Sequence, residues 1–167
     1  MPKSSLTQKQ LKEILHYSPE TGLFVWLTSP TKSVKIGDIA GTLGSRGYVR
    51  IMIEGKNYQS HRLAWFYVYG VWPLNHIDHI NHIKDDNRIV NLREATGQEN
   101  QRNASLRKSN TSGVCGVSLH KTSNKWQATI GANDKNIHLG LFSDKFEAIC
   151  ARKSADNKYG FHANHGL

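Results

Sequence analysis

The pattern of apolar and polar positions divides the chain into two stretches of alternating strands and helices. In the first stretch, apolar residues at near-helical spacing in LTQKQLKEIL predict a short helix that Thr7 caps. The segment LFVWL predicts a strand, and the alternation in YVRIMIEG and NYQSHRLAW predicts a hairpin that turns between Glu54 and Asn57. The apolar run from Leu63 to Tyr69 favours a buried helix, although a buried strand has the same pattern.

The second stretch predicts three strands followed by one helix. GVCGVSLH, KWQATIGA and NIHLGLF read as the strands, with Ser123-Asn124 and Asn133-Asp134 as the turns between them. A helix is predicted over about 143–159, with Asp144 in a capping pattern at its start. Between the two stretches, ASLRKSNTS is small, polar and basic, as a linker or an arm on DNA would be. The predicted order after this segment is βββα.

The charge of the chain indicates a polyanionic partner. Its 167 residues carry 22 Lys and Arg against 13 Asp and Glu, a formal net charge of +9. Residues 1–60 hold 8 basic and 4 acidic side chains, residues 106–167 hold 9 and 4, and residues 61–105 hold 5 of each. On charge alone, the alternative is a basic protein that is merely soluble.

The two cysteines exclude some classes of site. Cys115 and Cys150 are too few for a disulfide framework and form no CxxC pair for a structural zinc site. They are interpreted as buried or idle thiols in a reducing compartment. No apolar run is long enough to span a membrane, and MPKSSLTQKQ leads into no hydrophobic signal core. We therefore expect a soluble, cytoplasmic protein with no membrane partner and no obligatory protein partner.

One short stretch, IDHINHIKDDNRIVNLREATGQEN, concentrates carboxylate, imidazole and amide side chains. Asp78 and His79 are adjacent, so both can serve one site only where a bulge or a strand end re-aims one of them. IVNLREAT, which contains Asn91, is predicted to be the second strand of a hairpin, and TGQEN starts a helix with Asn100 in its first turn. Hydrolysis of a phosphodiester needs an activated water and a cation, and a converging carboxylate and amide can hold a hard cation. Any one of these residues alone could simply cap a turn.

This stretch resembles the HNH, or ββα-metal, nucleases, and in particular the homing-type endonucleases. Their pattern is an Asp-His pair, an Asn about twelve residues later and an Asn or His about nine beyond it, which here are Asp78-His79, Asn91 and Asn100. Three flanking segments also resemble the same subfamily: HRLAWFYVYGVWP, DNRIVNLREAT and ENQRN. The resemblance implies that His79 is the general base, that Asp78 and Asn100 bind a divalent metal, and that Asn91 orients His79 or braces the loop.

The implied metal ligands are all oxygen atoms, which favours Mg²⁺ or Mn²⁺ over Zn²⁺. The chain departs from the resemblance at His82 and Ile83, where these nucleases commonly have a Gly-Asp turn. His82 is interpreted as a turn residue, a DNA contact or an additional ligand. His61 is the first residue of the segment HRLAW, and we expect it to make a structural hydrogen bond.

Residues 112 to about 160 resemble the AP2 DNA-binding domain. The resemblance lies in the short motifs GV, KW, IHLG and F and in an alanine-rich helix. The resemblance implies a three-stranded antiparallel sheet in the DNA major groove and a helix on its back. Period-two alternation separately assigns Trp126 to an apolar face and leaves a polar face opposite. The residues expected to contact DNA are Ser118, His120, Lys121, Lys125, Gln127, Thr129, Lys135 and His138. The alternative for this face is an ordinary solvated surface.

Together these observations predict a two-domain α+β protein. The expected architecture is a ββα-metal nuclease core at 61–105 with an N-terminal α/β extension at 1–60, a basic linker at 106–111 and a small βββα AP2-like domain at 112–167. The expected function is metal-dependent hydrolysis or nicking of double-stranded DNA by a homing-type enzyme, a group that is often phage- or intron-associated. One alternative is a non-catalytic AP2-like regulator that binds DNA sequence-specifically. Another is an RNA-directed protein, against which the lack of stacking aromatics on the polar face argues.

Overall fold

The chain divides into two compact units, Met1–Gly97 and Gln98–Leu167. The computed structural model describes residues 6–106, 108–132 and 135–166 of the chain. Each unit has a hydrophobic core of its own. The mixture of helix and sheet agrees with the predicted α+β class.

The first unit begins with helix α1 (Gln8–Ile14). Thr7 caps this helix as predicted, and Gln10 completes a capping box by bonding back to the Thr7 backbone. Six short strands form two antiparallel sheets, in the orders β1-β2-β3 and β4-β5-β6. The strands are β1 (Leu15–Tyr17), β2 (Phe24–Trp26), β3 (Ile39–Ala40), β4 (Thr42–Leu43), β5 (Val49–Ile53) and β6 (Lys56–Gln59).

The predicted hairpin is present, with a shorter turn and a shorter second strand. Glu54 and Gly55 form a two-residue turn, both with positive φ (49° and 78°), and pairing resumes at Lys56. The predicted second strand is wrong beyond Gln59, because helix α2 (Ser60–Tyr69) begins at the next residue. This helix buries one side in the core, which overrides the alternation read from NYQSHRLAW.

The predicted helix over 63–69 is confirmed by α2, which ends at Gly70 with a φ of 75°. A second hairpin follows, with β7 (His76–His79) antiparallel to β8 (Leu92–Ala95). A single 3-10 turn (Ile89–Asn91) precedes β8. The prediction that Asn91 lies in a strand is therefore wrong by one residue, since the strand begins at Leu92.

A single core joins the residues before and after position 60. It packs α1, strands of the first two sheets, α2 and the β7-β8 hairpin together. The buried members are Leu11, Leu15, Tyr17, Phe24, Trp26, Ala40, Ile51, Ile53, Leu63, Ala64, Phe66, Ile77 and Leu92. The N-terminal extension therefore packs on the hairpin that carries Asp78 and His79, within one compact body.

The second unit contains the predicted three strands and helix. Strands β9 (Val117–His120), β10 (Lys125–Ala132) and β11 (Lys135–Phe142) form an antiparallel sheet in the order β11-β10-β9. Helix α4 (Lys145–Lys158) follows, and the Asp144 side chain caps it by accepting from the Phe146 N–H at 2.9 Å. The core between sheet and helix contains Val117, Ala128 and Ala148. The predicted turn at Asn133-Asp134 lies outside the described residues.

The division between the units lies earlier than the predicted linker at 106–111. Helix α3 (Gly97–Arg102) starts at the division, and the chain after it belongs to the second unit. The Gly166 N–H donates to the Ala104 carbonyl at 2.9 Å, and the Asn110 amide donates to the Val114 carbonyl at 3.0 Å. Asn and Ser side chains bond readily to nearby backbone, and both Asn110 and Ser112 bond to the Val114 carbonyl.

Two further sequence expectations concern the whole chain. In the described ranges, no helix is both long and apolar enough to cross a membrane. Both cysteines are free thiols, Cys115 partly buried and Cys150 exposed.

Candidate active site

The predicted catalytic pair lies at the end of β7. Asp78 and His79 are 7% and 5% exposed, so both side chains are buried although they are neighbours in a strand. The strand ends at His79 and the chain turns at Ile80, while Asp78 and His79 stay in register with Arg93 and Leu92. Of the two possibilities that the sequence left open, a bulge is absent from this register, and the strand ends at His79.

Arg93 pairs with Asp78 across the hairpin. The two residues face each other in the β7-β8 register, and Nε and Nη2 of Arg93 donate to Oδ2 of Asp78 at 3.0 and 2.8 Å. Charge-assisted bonds of this kind offset part of the cost of burying a carboxylate. Arg93 is not among the residues predicted from the sequence, because the long loop between β7 and β8 leaves their register open.

Asn87 is the hydrogen-bond partner that orients His79. The Nε2 atom of His79 lies 3.3 Å from Oδ1 of Asn87. With that amide oxygen as acceptor, Nε2 carries the ring proton and Nδ1 carries the lone pair. Burial lowers the pKa of His79, opposed by the Asn87 bond and by the charge of Asp78. The imidazole is therefore neutral at neutral pH, which is the state that can accept a proton.

Asn91 contacts the loop between the strands. Its Oδ1 accepts from the Asn81 N–H at 3.0 Å, and its Nδ2 donates to the Asp86 carbonyl at 2.9 Å. Bonds from the Arg88 guanidinium, and next from Asn81, hold the pKa of the Asp86 carboxyl at about 2. Of the two roles that the resemblance gave Asn91, these contacts correspond to bracing the loop, while Asn87 meets His79.

His82 occupies the tight turn after β7. Its φ of 64° lies in the left-handed region, where a residue with a Cβ is disfavoured by about 1–2 kcal/mol. Its N–H donates to the His79 carbonyl at 3.0 Å, and the Asn81 side chain bonds the next N–H. Among the three roles considered for His82, the backbone corresponds to that of a turn residue, at a position where glycine is the usual choice.

The N-terminal extension positions the loop that carries Asn87. The Tyr17 hydroxyl donates to the Asn87 carbonyl at 2.6 Å, and burial raises the Tyr17 pKa. Gly22, with a φ of 74°, lies so close to this loop that a Cβ there would sit 2.4 Å from the Arg88 nitrogen. Residues far from the Asp-His pair in sequence therefore fix its partner, and the sequence carried no signal of this.

Two further rings lie next to His79. Tyr48 and His61 have their ring centroids 5.8 and 5.1 Å from that of His79, and they are 5.3 Å from each other. His61 is 8% exposed, and its buried Nδ1 has no hydrogen-bond partner in the part of the chain that the structure describes. Burial, and next the neighbouring His79, lower the pKa of His61 to about 3. The expected structural hydrogen bond of His61 is thus replaced by ring contacts.

The donor groups near Asp78 determine which cation could be held there. Asn100 is exposed on α3, in the second unit, and the Asn91 amide is engaged within the loop. Within residues 6–106, 108–132 and 135–166, no group of three or more His, Cys, Asp or Glu side chains is arranged to hold a metal ion. The predicted ligands, Asp78 and Asn100, would offer a carboxylate oxygen and an amide oxygen. This all-oxygen donor set fits Mg²⁺ or Mn²⁺.

Four of the residues predicted to contact DNA in the second unit lie opposite each other in pairs across the sheet. In the sheet register, Ser118 lies opposite Gln127 and Thr129 lies opposite His138. The Gln127 amide lies 3.2 Å from Nδ1 of His138, which ties β10 to β11. The register shifts between Ala128 and Thr129, which pair with Gly140 and His138, so Leu139 of β11 has no opposite residue. Leu139 packs against the core of the unit.

The basic residues predicted to contact DNA lie at the ends of these strands. Lys125 starts β10 opposite His120, Lys121 follows β9, and Lys135 starts β11. All three lysines are exposed. Trp126 is partly buried against the core, as predicted, and the Lys145 ammonium lies 5.3 Å from its ring.

Comparison with known proteins identifies the segment that contains Asp78 and His79. The profile of the HNH endonuclease family matches residues 58–102, which run from β6 to α3. The chain is 37% identical to Protein 3.8 of Escherichia phage T7 over 81 residues, 48% of this chain and 67% of that relative. The chain belongs to the HNH endonuclease family. The matched residues, here named the HNH segment, include Asp78, His79, Asn91 and Asn100.

A solved structure is also similar to this HNH protein. It is that of the HNH homing endonuclease I-HmuI, described for its DNA binding and cleavage, with a TM-score of 0.40 and 30% identity. The similarity covers 53% of this chain and 50% of I-HmuI. The chain thus spans about half the length of that protein. The second unit, beyond residue 102, lies outside the family match.

Proposed function

We propose that this protein is a metal-dependent DNA endonuclease of the homing type, encoded by a phage, that hydrolyses or nicks a phosphodiester of double-stranded DNA. One observation carries the proposal: a buried, neutral His79 adjoins Asp78 at the end of β7, inside the HNH segment. A hairpin that merely stabilised the fold would gain more from apolar residues at two buried positions than from an imidazole and a carboxylate.

His79 would act as the general base. Its Nε2–H donates to Asn87, so the lone pair on Nδ1 would take the proton of the attacking water. Asn87 would stabilise the imidazolium that forms, because its amide oxygen accepts from the protonated Nε2. Asp85 and Asp86, whose charges raise the pKa of His79, would favour the same state.

Asp78 and Asn100 would hold a divalent cation, Mg²⁺ or Mn²⁺. When bound, such an ion stabilises negative charge on the phosphorane and on the leaving oxygen. Arg93 would fix the direction of the Asp78 carboxylate through its two bonds to Oδ2. Asn100 is proposed on the spacing of the HNH pattern, and the all-oxygen donor set supports the choice of ion.

The second unit would bind the duplex through an AP2-like sheet. Its polar face would offer Ser118, His120, Gln127, Thr129 and His138 to base edges. Lys121, Lys125 and Lys135 would contact phosphates. The net charge of +9 supports a polyanionic partner, and the three lysines at the strand ends are exposed to meet it.

A plasmid cleavage assay tests the proposed chemistry. Wild type, His79→Ala and His76→Ala are each incubated with supercoiled DNA in Mg²⁺, Mn²⁺ or EDTA. We expect wild type and His76→Ala, a change at an exposed position of the same strand, to nick or linearise DNA only with metal. His79→Ala should cut at least about 100-fold more slowly, because it lacks the general base, while its DNA affinity stays the same.

Two results would contradict the proposal. Undiminished cutting in EDTA would exclude the metal, and undiminished cutting by His79→Ala would exclude the base. If no protein cuts a library of sites although all of them shift duplex DNA in a gel, the chain is a DNA-binding regulator that retains the HNH fold as a scaffold.

A further inference from the structure

His61 is a buried polar ring that the proposed reaction does not use. It lies in the first turn of α2, is 8% exposed, and leaves a buried Nδ1 with no hydrogen-bond partner among the described residues. An unsatisfied buried nitrogen destabilises a fold. The position therefore calls for an explanation other than stability.

The neighbours of His61 supply that explanation. Its ring meets that of His79 at 83°, with the centroids 5.1 Å apart, which is the edge-to-face geometry that ring pairs prefer. Tyr48 lies tilted against both rings, at 58° to His61 and 46° to His79. The Lys84 ammonium sits 5.2 Å from the Tyr48 ring, and its Nζ donates to the Arg46 carbonyl. This holds the hairpin turn of Tyr48 beside the cluster.

These rings give the imidazole of His79 a support in addition to its hydrogen bond with Asn87. Its contact with Asn87 is 3.3 Å long, at the weak end of the range for hydrogen bonds. Rotation about the bond between ring and Cβ is a broad torsion with two near-equivalent positions for a histidine. A flipped ring would exchange the position of each nitrogen with that of a carbon atom. Nε2 would then no longer contact Asn87, and Nδ1 would no longer point toward the attacking water.

We propose that His61 is a positioning residue for His79: its ring holds the His79 imidazole in the one orientation in which Nε2 bonds to Asn87. The inference rests on the proposed function, in which His79 is the general base. His61 is suited to this role because burial keeps it neutral, so it adds no charge beside an imidazole that must become positive during the reaction.

Three variants separate ring packing from other roles of His61. His61→Ala removes the ring, and His61→Phe keeps a ring but removes both nitrogens. Leu63→Ala is the matched control, because Leu63 is fully buried on the same helix and its truncation destabilises the core. All are assayed at a temperature where circular dichroism finds each variant folded.

The kinetic result expected is a change in kcat alone. His61→Ala should lower the kcat for DNA cleavage by about 10- to 100-fold with an unchanged KM, as loss of orientation does. His61→Phe should recover most of this loss, and Leu63→Ala should retain the wild-type kcat. A wild-type kcat in His61→Ala would overturn the proposal. A kcat in His61→Phe as low as in His61→Ala would also overturn it, because the nitrogens and not the ring would then matter.

A second measurement does not require DNA cleavage. Long-range ¹H–¹⁵N spectra of the full chain, without DNA or metal, report the tautomer of each histidine, and His79→Ala identifies the signals of His79. We expect a single Nε2–H tautomer in wild type and His61→Phe, and a mixture in His61→Ala. An unchanged spectrum in His61→Ala overturns the positioning role even where wild type cuts DNA. Absence of cleavage by wild type, with the expected spectra, refutes the proposed function and leaves the positioning role intact.

Discussion

Two histidines at the centre of the HNH segment stay uncharged because they are buried. Burial lowers the pKa of His61 to about 3 from its ordinary 6.5 and lowers that of His79 in the same direction. An unfolded chain exposes both rings and binds a proton at each near pH 6.5. The folded state therefore binds fewer protons than the unfolded state over this interval, and acid favours unfolding.

The first prediction concerns the stability of the first unit in acid. Between pH 6.5 and 3, the shifted pKa of His61 should lower the free energy of unfolding by about 1.4 kcal/mol per pH unit. The stability is fully present above pH 6.5. Hydrogen exchange of the α2 amides, corrected for the intrinsic effect of pH, measures it. His61→Phe should weaken this dependence, and His16→Phe, at an exposed position of β1, should not.

A second prediction concerns the partner of His79. Asn87→Ala removes the acceptor from Nε2 and should lower the cleavage rate by up to about 100-fold, because the ring loses its orientation. Asn87→Asp keeps an acceptor oxygen and should retain more of the rate. Single-turnover cleavage at saturating DNA measures the effect, with Asn57→Ala, a change in an exposed strand, as control. Equal rates for wild type and Asn87→Ala would remove Asn87 from the site.

Among the elements, short helix α3 depends on the end of the chain. The Arg102 guanidinium lies 5.8 Å from the Phe161 ring, and that of Arg152 lies 5.1 Å from it. The His162 N–H donates to the Arg102 carbonyl at 3.3 Å. A helix of six residues is too short to be stable alone, so these contacts hold α3 and the proposed ligand Asn100.

A third prediction follows for the tail of the second unit. Phe161→Ala should loosen α3 and raise the Mg²⁺ concentration needed for half-maximal cleavage by about 10-fold, without changing DNA affinity. A Mg²⁺ titration of the cleavage rate measures this shift. Phe146→Ala is the matched control, because Phe146 is 70% exposed on α4. An unshifted titration in Phe161→Ala would show that α3 does not need the tail.

Elements whose signal is local were predictable from the sequence. Thr7 and Asp144 cap helices through bonds to residues only two or three positions away, so LTQKQLKEIL and the last helix could be recognised in isolation. The second strand of the first hairpin could not be bounded in this way. Alternation continues past Gln59, and only packing of α2 into the core decides that the helix begins at Ser60.

Across the whole molecule, charge is the property that bears on DNA. Under the proposed function, the net charge of +9 would add a term to DNA affinity that falls as salt rises, because phosphate contacts release counterions. Lys121, Lys125 and Lys135 lie at the strand ends of the second unit, whereas Lys145, Lys153 and Lys158 lie on α4, which packs on the apolar side of the sheet.

A fourth prediction compares these two sets of lysines. Exchanging Lys121, Lys125 and Lys135 together for alanine should weaken duplex binding and flatten the slope of log K against log salt by up to about 0.9 per lost contact. Exchanging the three α4 lysines removes the same charge and should change the slope much less. Fluorescence anisotropy at several salt concentrations measures both. Equal slopes for the two triple variants would exclude the strand ends that carry Lys121, Lys125 and Lys135 as the DNA surface.

The sequence by itself determined the HNH pattern and most of the elements. Asp78, His79, Asn91 and Asn100 follow one another at fixed spacing, and this spacing can be recognised without any knowledge of the fold. The alternation of polar and apolar residues and the helix caps are also properties of neighbouring residues, so they can be recognised in the sequence. For the same reason, the βββα order of the second unit was predictable.

Only the tertiary structure decided how the site is built. Asn87 rather than Asn91 meets His79, Tyr17 bonds to the Asn87 backbone from 70 residues away, and Tyr48 reaches His79 from another hairpin. Such contacts depend on how distant segments pack in a common core, and no local pattern encodes the direction in which a side chain then points. The burial that keeps His61 and His79 neutral arises from the same packing.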